Sequence, residues 1–240
     1  EIGKSYYGSS GLYDSTILNT EANNNYMPNL NFKSNVDYFL VPNKLGGHAK
    51  LSISADGYKR MSTLDGVFGR DAIMTNFALS WQRESLTNSG GIFGIKSFTT
   101  AGLAKYHNDS ENPNLISQIR QIAGIEFSVP MLRKYGETSL IYTPKIQFVF
   151  SPPNKVAQPN EISQHSEVSY SNFFNLNHSY GYDRVVDGMH LKTGLETSYF
   201  MSKDEQINLF IGNFTKINGN NAFATGSGLE SGISSNVGAL

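Results

Sequence analysis

The sequence predicts an all-β chain of antiparallel strands, and three observations predict it. Apolar residues recur at every second position through much of the 240 residues, which gives an extended strand one apolar and one polar face. Clusters of Gly, Asn, Asp, Ser and Pro interrupt this alternation, as turns do. No stretch of about 12 residues carries a better 3.6-residue apolar stripe, the mark of an amphipathic helix.

The first clear strand covers residues 30–40, with Leu30, Phe32, Val36, Tyr38 and Leu40 on one face and Asn31, Lys33, Asn35 and Asp37 on the other. Asn43-Lys44-Leu45-Gly46-Gly47 turns the chain into a second, where Ala49, Leu51, Ile53 and Ala55 alternate with Lys50, Ser52, Ser54 and Asp56. A third sets Ile73, Thr75, Phe77, Leu79 and Trp81 against Asn76, Ser80 and Gln82, and ends at Asn88-Ser89-Gly90-Gly91. Beyond the polar residues 108–114 come Ile119, Ala123, Ile125, Phe127 and Val129, then Leu140, Tyr142, Ile146, Phe148 and Phe150. After a proline-rich connection at 152–159, Met189, Leu191, Leu195 and Tyr199 alternate with His190, Lys192, Glu196 and Ser198. Ile207, Leu209 and Ile211 form the last clear case, before Asn218-Gly219-Asn220-Asn221. In all, about ten to twelve strands of roughly 8–12 residues are expected. No composition shift or linker divides them, so residues 1–240 are expected to form one domain or part of one.

Composition narrows the class. Charged residues are 16% of the chain, below the roughly 25% usual for soluble domains, yet the mean hydropathy is −0.32. Asn (24), Ser (28) and Gly (23) take the place of charge, beside 13 Tyr and 15 Phe. Such a chain is too aromatic for a disordered tail. Its 19 basic and 20 acidic side chains leave no basic excess to draw it onto nucleic acid. With no cysteine, a disulfide scaffold and a cysteine-ligated metal site are excluded within these residues. The longest apolar runs, Tyr38-Phe39-Leu40-Val41 and Phe148-Val149-Phe150, are far short of the 18 or so a spanning helix needs. The chain opens on Glu1 without a signal-peptide pattern, and both ends fall inside patterned sequence, so a piece of a longer protein is expected.

Two architectures fit this pattern. A soluble sandwich or barrel buries its apolar face as a core. An outer-membrane barrel turns that face to lipid and its polar face to a wet lumen. Spanning takes about 9–11 tilted residues, whereas soluble strands average about five or six, so the long strands favour the membrane barrel. Aromatics near strand ends (Tyr38, Phe39, Tyr58, Trp81, Phe150, Tyr199, Phe200) match interfacial girdles, although aromatics are enriched in any strand.

No catalytic template is met. His48, His107, His165, His178 and His190 lie far apart and form neither HExxH nor HxH; each is read as a polar loop or lumen residue. There is no GxSxG elbow or phosphate-cradling loop, and Gly226, Gly228 and Gly232 are read as strand and turn glycines. Catalytic, cofactor and metal sites are therefore expected to be absent. One segment is unusual: the Asn- and aromatic-rich Asn172-Phe173-Phe174-Asn175-Leu176-Asn177-His178-Ser179-Tyr180-Gly181-Tyr182-Asp183-Arg184. Its closing Asp-Arg pair can form a bidentate, charge-assisted bond that pins a loop, or stand as two solvated charges in a turn.

This segment resembles the signature of the LPS-assembly outer-membrane family LptD (organic solvent tolerance proteins), in which Asn-Leu-Phe and Gly-x-Asp-Arg follow a proline-rich connection. Pro144, Gln147, Ser151 and Pro152 fit that family's Pro-x-x-Gln followed by Ser-Pro. Trp81-Gln82-Arg83, residues 41–47 with Arg60, and Gly228-Leu229 through Val237-Gly238 resemble further stretches in the same order, in a style like the alphaproteobacterial branch. The resemblance runs from about Pro28 to Leu240 and singles out Pro144, Gln147, Pro152, Asn172, Asn177, Gly181, Asp183 and Arg184. It implies a transmembrane antiparallel barrel of which residues 1–240 form one segment, without the family's N-terminal periplasmic jelly-roll domain. It also implies insertion of lipopolysaccharide into the outer leaflet, a lipoprotein plug (LptE-like) in the lumen and a periplasmic Lpt bridge. Asp183 and Arg184 are then expected to pair and fix a loop folded toward the lumen. A porin-like outer-membrane channel shares the strands and the lumen, and a soluble β-rich binding domain shares the alternation; both remain open at the level of sequence.

Overall fold

The computed structural model describes residues 2–5, 29–39, 46–58, 71–107, 114–153, 164–165, 169–180, 186–201, 205–219 and 234–239. These carry β1 (Ile2–Ser5), β2 (Asn29–Phe39), β3 (His48–Tyr58), β4 (Asp71–Leu86), β5 (Ile92–His107), β6 (Leu115–Ser128), β7 (Met131–Tyr135) and β8 (Thr138–Ser151). Then follow β9 (Gln164–His165), one 3-10 turn (Tyr170–Asn172), β10 (Ser179–Tyr180), β11 (Gly188–Phe200), β12 (Gln206–Asn218) and β13 (Ser234–Ala239). Eleven of them form one antiparallel sheet in the order β1-β2-β3-β4-β5-β6-β8-β11-β12-β13, with β7 beside β8; β9 and β10 pair with each other. Strands adjacent in sequence are mostly adjacent in the sheet, and the short β4–β5 and β7–β8 turns use Gly90 and Gly136 at positive φ.

The strands are longer than the alternation suggests. β4 and β5 each span 16 residues and β6 and β8 each span 14. β5 has no clear alternation because its faces are mixed. Phe98, Ala104 and Tyr106 point to the same side as Lys96 and Thr100, while Ser97 and Thr99 share the opposite side with Ile95 and Leu103. Pairing with β4 and β6 along its whole length fixes its parity instead.

The strands are staggered. A rung started at Ser34 passes Ile53, Phe77, Ala101 and Ile119 and then leaves the sheet beyond the end of β8. One started at Gly212 passes Gly194, Lys145, Ser128, Ile92 and Leu86 and leaves it before the start of β3. The strand midpoints drift by roughly 1.3 residues per step, which at about 3.3 Å per residue and about 4.8 Å between strands is a tilt of about 40°. Barrel closure requires a tilt of roughly 35–45°.

Burial is inverted relative to a soluble sandwich. The alternating apolar positions face outward and are exposed: Ile73 (61%), Ile119 (77%) and Ile211 (67%), with Phe77, Leu79, Ile125, Ile146, Leu195 and Leu209. The opposite, inner face buries Asp56, Asn76, Arg120, Glu126, Gln147, His190, Lys192 and Lys216. It is not uniformly polar, since Ala72, Met74, Ala104, Tyr106 and Ile116 make an apolar cluster there.

Pro144 occupies a central strand, where its missing N–H would normally break a ladder. Here the facing ladder is itself interrupted. β6 pairs with β8 up to Ser128↔Lys145, and β7 resumes at Met131↔Tyr142. In the gap, the Val129 N–H donates to the Pro144 carbonyl (3.1 Å).

Candidate functional site

Between β8 and β11 the chain leaves the sheet, and residues 169–180 fold back against the inner face. The turn that starts this loop is closed by Asn172, whose Oδ1 accepts the Ser169 N–H (2.8 Å). It places Phe173, fully buried, in a cluster with Val186, Phe210 and Phe214, against which Phe174, Val237 and Ala239 pack. The rings of Phe173 and Phe174 meet Phe210 edge-on at 5.1 and 6.3 Å. Gly212 makes this approach possible: a Cβ there would lie 2.8 Å from Phe173 Cζ and 2.7 Å from Phe210 Cζ.

Charged and amide side chains of the wall hold the loop. Glu126 is 8% exposed and receives the Lys96 ammonium at 2.8 Å, Gln147 Nε2 at 3.0 Å and the Lys145 ammonium at 3.2 Å. Gln147 Nε2 also donates to the Phe174 carbonyl (2.8 Å), and Lys145 lies over the Phe174 ring at 4.7 Å. Lys192, 1% exposed, donates to the Asn175 carbonyl and meets His178 Nε2 at 2.9 Å. Asn177 Oδ1 accepts the Val186 N–H at 3.3 Å, tying the two described ends of the loop together. Tyr170 Oη donates to Glu196 Oε1, and this bond raises the tyrosine's titration above its ordinary range. Burial, then the charges of Lys192 and His190, push His178 down to about 3, so its imidazole is neutral near pH 7. A cavity of about 420 Å³ lies between residues 174–177 and the inner wall of β3, β4 and β5, with His48, Lys50, Gln82 and Lys96 on that wall.

Of the residues singled out by sequence, Gln147 is at the centre of this network and Pro144 stands three residues from it on the same strand. Asn172 and Asn177 shape the loop, and Pro152 is exposed just past β8. Gly181, Asp183 and Arg184, like Gly226, Gly228 and Gly232, lie outside the described residues. His178 and His190 fall where a loop and an inner-wall residue were expected. Sequence reasoning missed Glu126, Lys96, Lys145 and Lys192; the available signal was a charged side chain at the inward parity of a strand. No group of three or more His, Cys, Asp or Glu suited to a metal occurs among the described residues.

Residues 97–240 match the sequence profile of the family described as LptD, LPS transport system D. The chain belongs to the LptD family. The match covers more than half of the chain and includes β6 to β13 and most of β5, together with all eight singled-out positions. No curated protein matches the chain. The further resemblance to LptD at residues 41–47 and 81–83 precedes the matched stretch, and the structure joins those two places: Trp81 Nε1 donates to the Gly46 carbonyl at 3.0 Å. LptD proteins serve LPS transport and outer-membrane assembly, and the family is one of transport proteins rather than enzymes.

Proposed function

We propose that this chain is an arc of an outer-membrane β-barrel that inserts lipopolysaccharide into the outer leaflet. The inverted burial carries the reading. A face of exposed Ile, Leu and Phe suits hydrocarbon, and an enclosed face of paired charges and amides suits a lumen that passes saccharide. Sugar cannot cross hydrocarbon cheaply, so its hydroxyls need such a wall. The open sheet, with β1 and β13 at its edges, is one arc of a larger closed barrel, since unpaired edges invite aggregation. Residues 169–180 belong to a luminal loop to which Asn172 and Asn177 contribute. A lipoprotein plug and a periplasmic Lpt bridge are its partners, as in the family.

The test is depletion of the full-length protein in its own cells. Loss of surface lipopolysaccharide and sensitivity to detergent, with a heat-modifiable band in the outer-membrane fraction, is the expected result. A soluble band overturns the barrel. Normal surface lipopolysaccharide after depletion returns the protein to the porin-like alternative.

A further inference from the structure

Among the described residues β7 pairs with β8 alone, from Met131↔Tyr142 to Tyr135↔Thr138, whereas β6 before it runs between β5 and β8. The cause is the stagger. β5 begins at Ile92 opposite Ser128, and the chain from β4 has already turned back through Thr87–Gly91, so no described strand stands beside residues 130–134. The register tells which groups are left over. The Val129 N–H donates to the Pro144 carbonyl at 3.1 Å, so by the alternation of an antiparallel ladder Met131, Arg133 and Tyr135 exchange their bonds with β8. Leu132 and Lys134 then turn their N–H and C=O groups, and Pro130 its C=O, to the open side. Residues 132–135 are all exposed, Leu132 at 60%. A Cβ on Gly90 or Gly136, in the turns that flank this edge, would meet no atom within 4 Å, so there is room for another strand.

We propose that the open edge of β7 takes up an extended, acidic segment of another protein as an added strand. A row of backbone donors and acceptors without a neighbour is a template for such pairing. Charge selects the partner. Arg133 and Lys134 lie side by side on this edge, one on each face of the strand, and neither is ion-paired among the described residues. Arg133 rests over the Tyr135 ring at 4.8 Å, which holds its charge beside the edge. An adjacent acidic pair opposite these cations gains cross-strand attraction, and a basic pair is repelled. A second copy of the chain is a poor occupant for the same reason, since β7 against β7 sets the cations against one another. The edge lies at the end of the sheet that carries the short polar turns 87–91 and 201–205, so a segment arriving through water reaches it.

The test uses the full-length protein in lipid nanodiscs and labelled peptides as probes. These are acetyl-Thr-Val-Glu-Glu-Val-Thr-amide, the same peptide with Lys in place of Glu, and the acidic peptide N-methylated at the residues that face Leu132 and Lys134. By fluorescence polarisation the acidic peptide is expected to bind about tenfold more tightly than the basic one, and the N-methylated one not at all. Hydrogen exchange is expected to slow at the Leu132 and Lys134 amides when the acidic peptide is added, and to stay unchanged at Arg133, whose N–H β8 already holds. L132P deletes one outward N–H, a change an edge strand tolerates, and is expected to lose binding; R133E/K134E is expected to prefer the basic peptide. No binding of the acidic peptide, equal binding of the basic or the N-methylated one, or full binding in L132P overturns the inference. Slowed exchange at Arg133 in place of Leu132 and Lys134 overturns it as well. Should L132P lose its heat-modifiable fold, the N-methylated peptide and R133E/K134E decide.

Discussion

Replacing Glu126 by Gln removes the charge on which Lys96, Lys145 and Gln147 converge, at 2.8, 3.2 and 3.0 Å. A hydrogen bond to a charged group contributes about 1.5–3 kcal/mol. Lys96 and Lys145 retain 20% and 25% side-chain exposure and can turn toward water, so the lower end applies to each. Two such bonds lost come to about 3 kcal/mol, close to the about 3–5 kcal/mol of breaking a buried pair. The single amide oxygen that remains is a weaker acceptor for Gln147 Nε2, which therefore holds the Phe174 carbonyl less firmly. The effect falls on the loop rather than the sheet, because the backbone ladders of β5, β6 and β8 are untouched. Hydrogen exchange of the full-length protein in detergent reads it out at the Asn175 and Val186 amides, both hydrogen-bonded in the docked loop. About 3 kcal/mol corresponds to exchange roughly a hundredfold faster there, with β3 and β4 unchanged. Adding K145M is expected to restore part of the protection, since it removes one stranded cation. Wild-type exchange at both amides in a folded E126Q protein would refute the view that this carboxylate holds the loop.

Other perturbations follow from the same geometry. G212V drives a side chain into Phe173 and Phe210, whose ring atoms lie under 3 Å from the new Cβ; overpacking of about 1–3 kcal/mol is expected as a lower urea midpoint, partly relieved by F173A. A Cβ at Gly124 would lie 2.5 Å from Leu176 Cδ2, so G124A is expected to loosen the loop and G124A/L176A to be better docked than additivity allows, by hydrogen exchange in a double-mutant cycle. His178 titrates near 3 in the docked loop because it is buried beside Lys192 and His190, against an ordinary value near 6.5. Below pH 6.5 the released loop therefore binds the extra proton. Docking is full above that pH and is expected to weaken by about 1.4 kcal/mol per unit as pH falls toward 3. Protease cleavage in the loop between pH 7.5 and 5 checks this, and H178Q is expected to flatten the dependence.

Sequence by itself determined the strand class and the parity of its faces. The alternating positions from Leu51 to Ile211 all point outward, because side chains on a strand must alternate and one face of the pattern was already apolar. It also marked Gln147, Asn172 and Asn177 through a family signature. What it left open was which apolar parity faced solvent and which faced a core, for the alternation is the same in both. The stagger of the rungs and the burial of Lys192, Glu126 and Arg120 decide that. The Glu126 network was illegible because Lys96, Lys145 and Gln147 are distant along the chain and meet it only through the pairings Glu126↔Gln147, Gly124↔Lys96 and Ser128↔Lys145. β5 was hidden for a related reason: with mixed faces, only its two neighbours specify its register. Local physics writes period and turn into a sequence, whereas the meeting of charges across strands is a property of register, and register exists only once the sheet has formed.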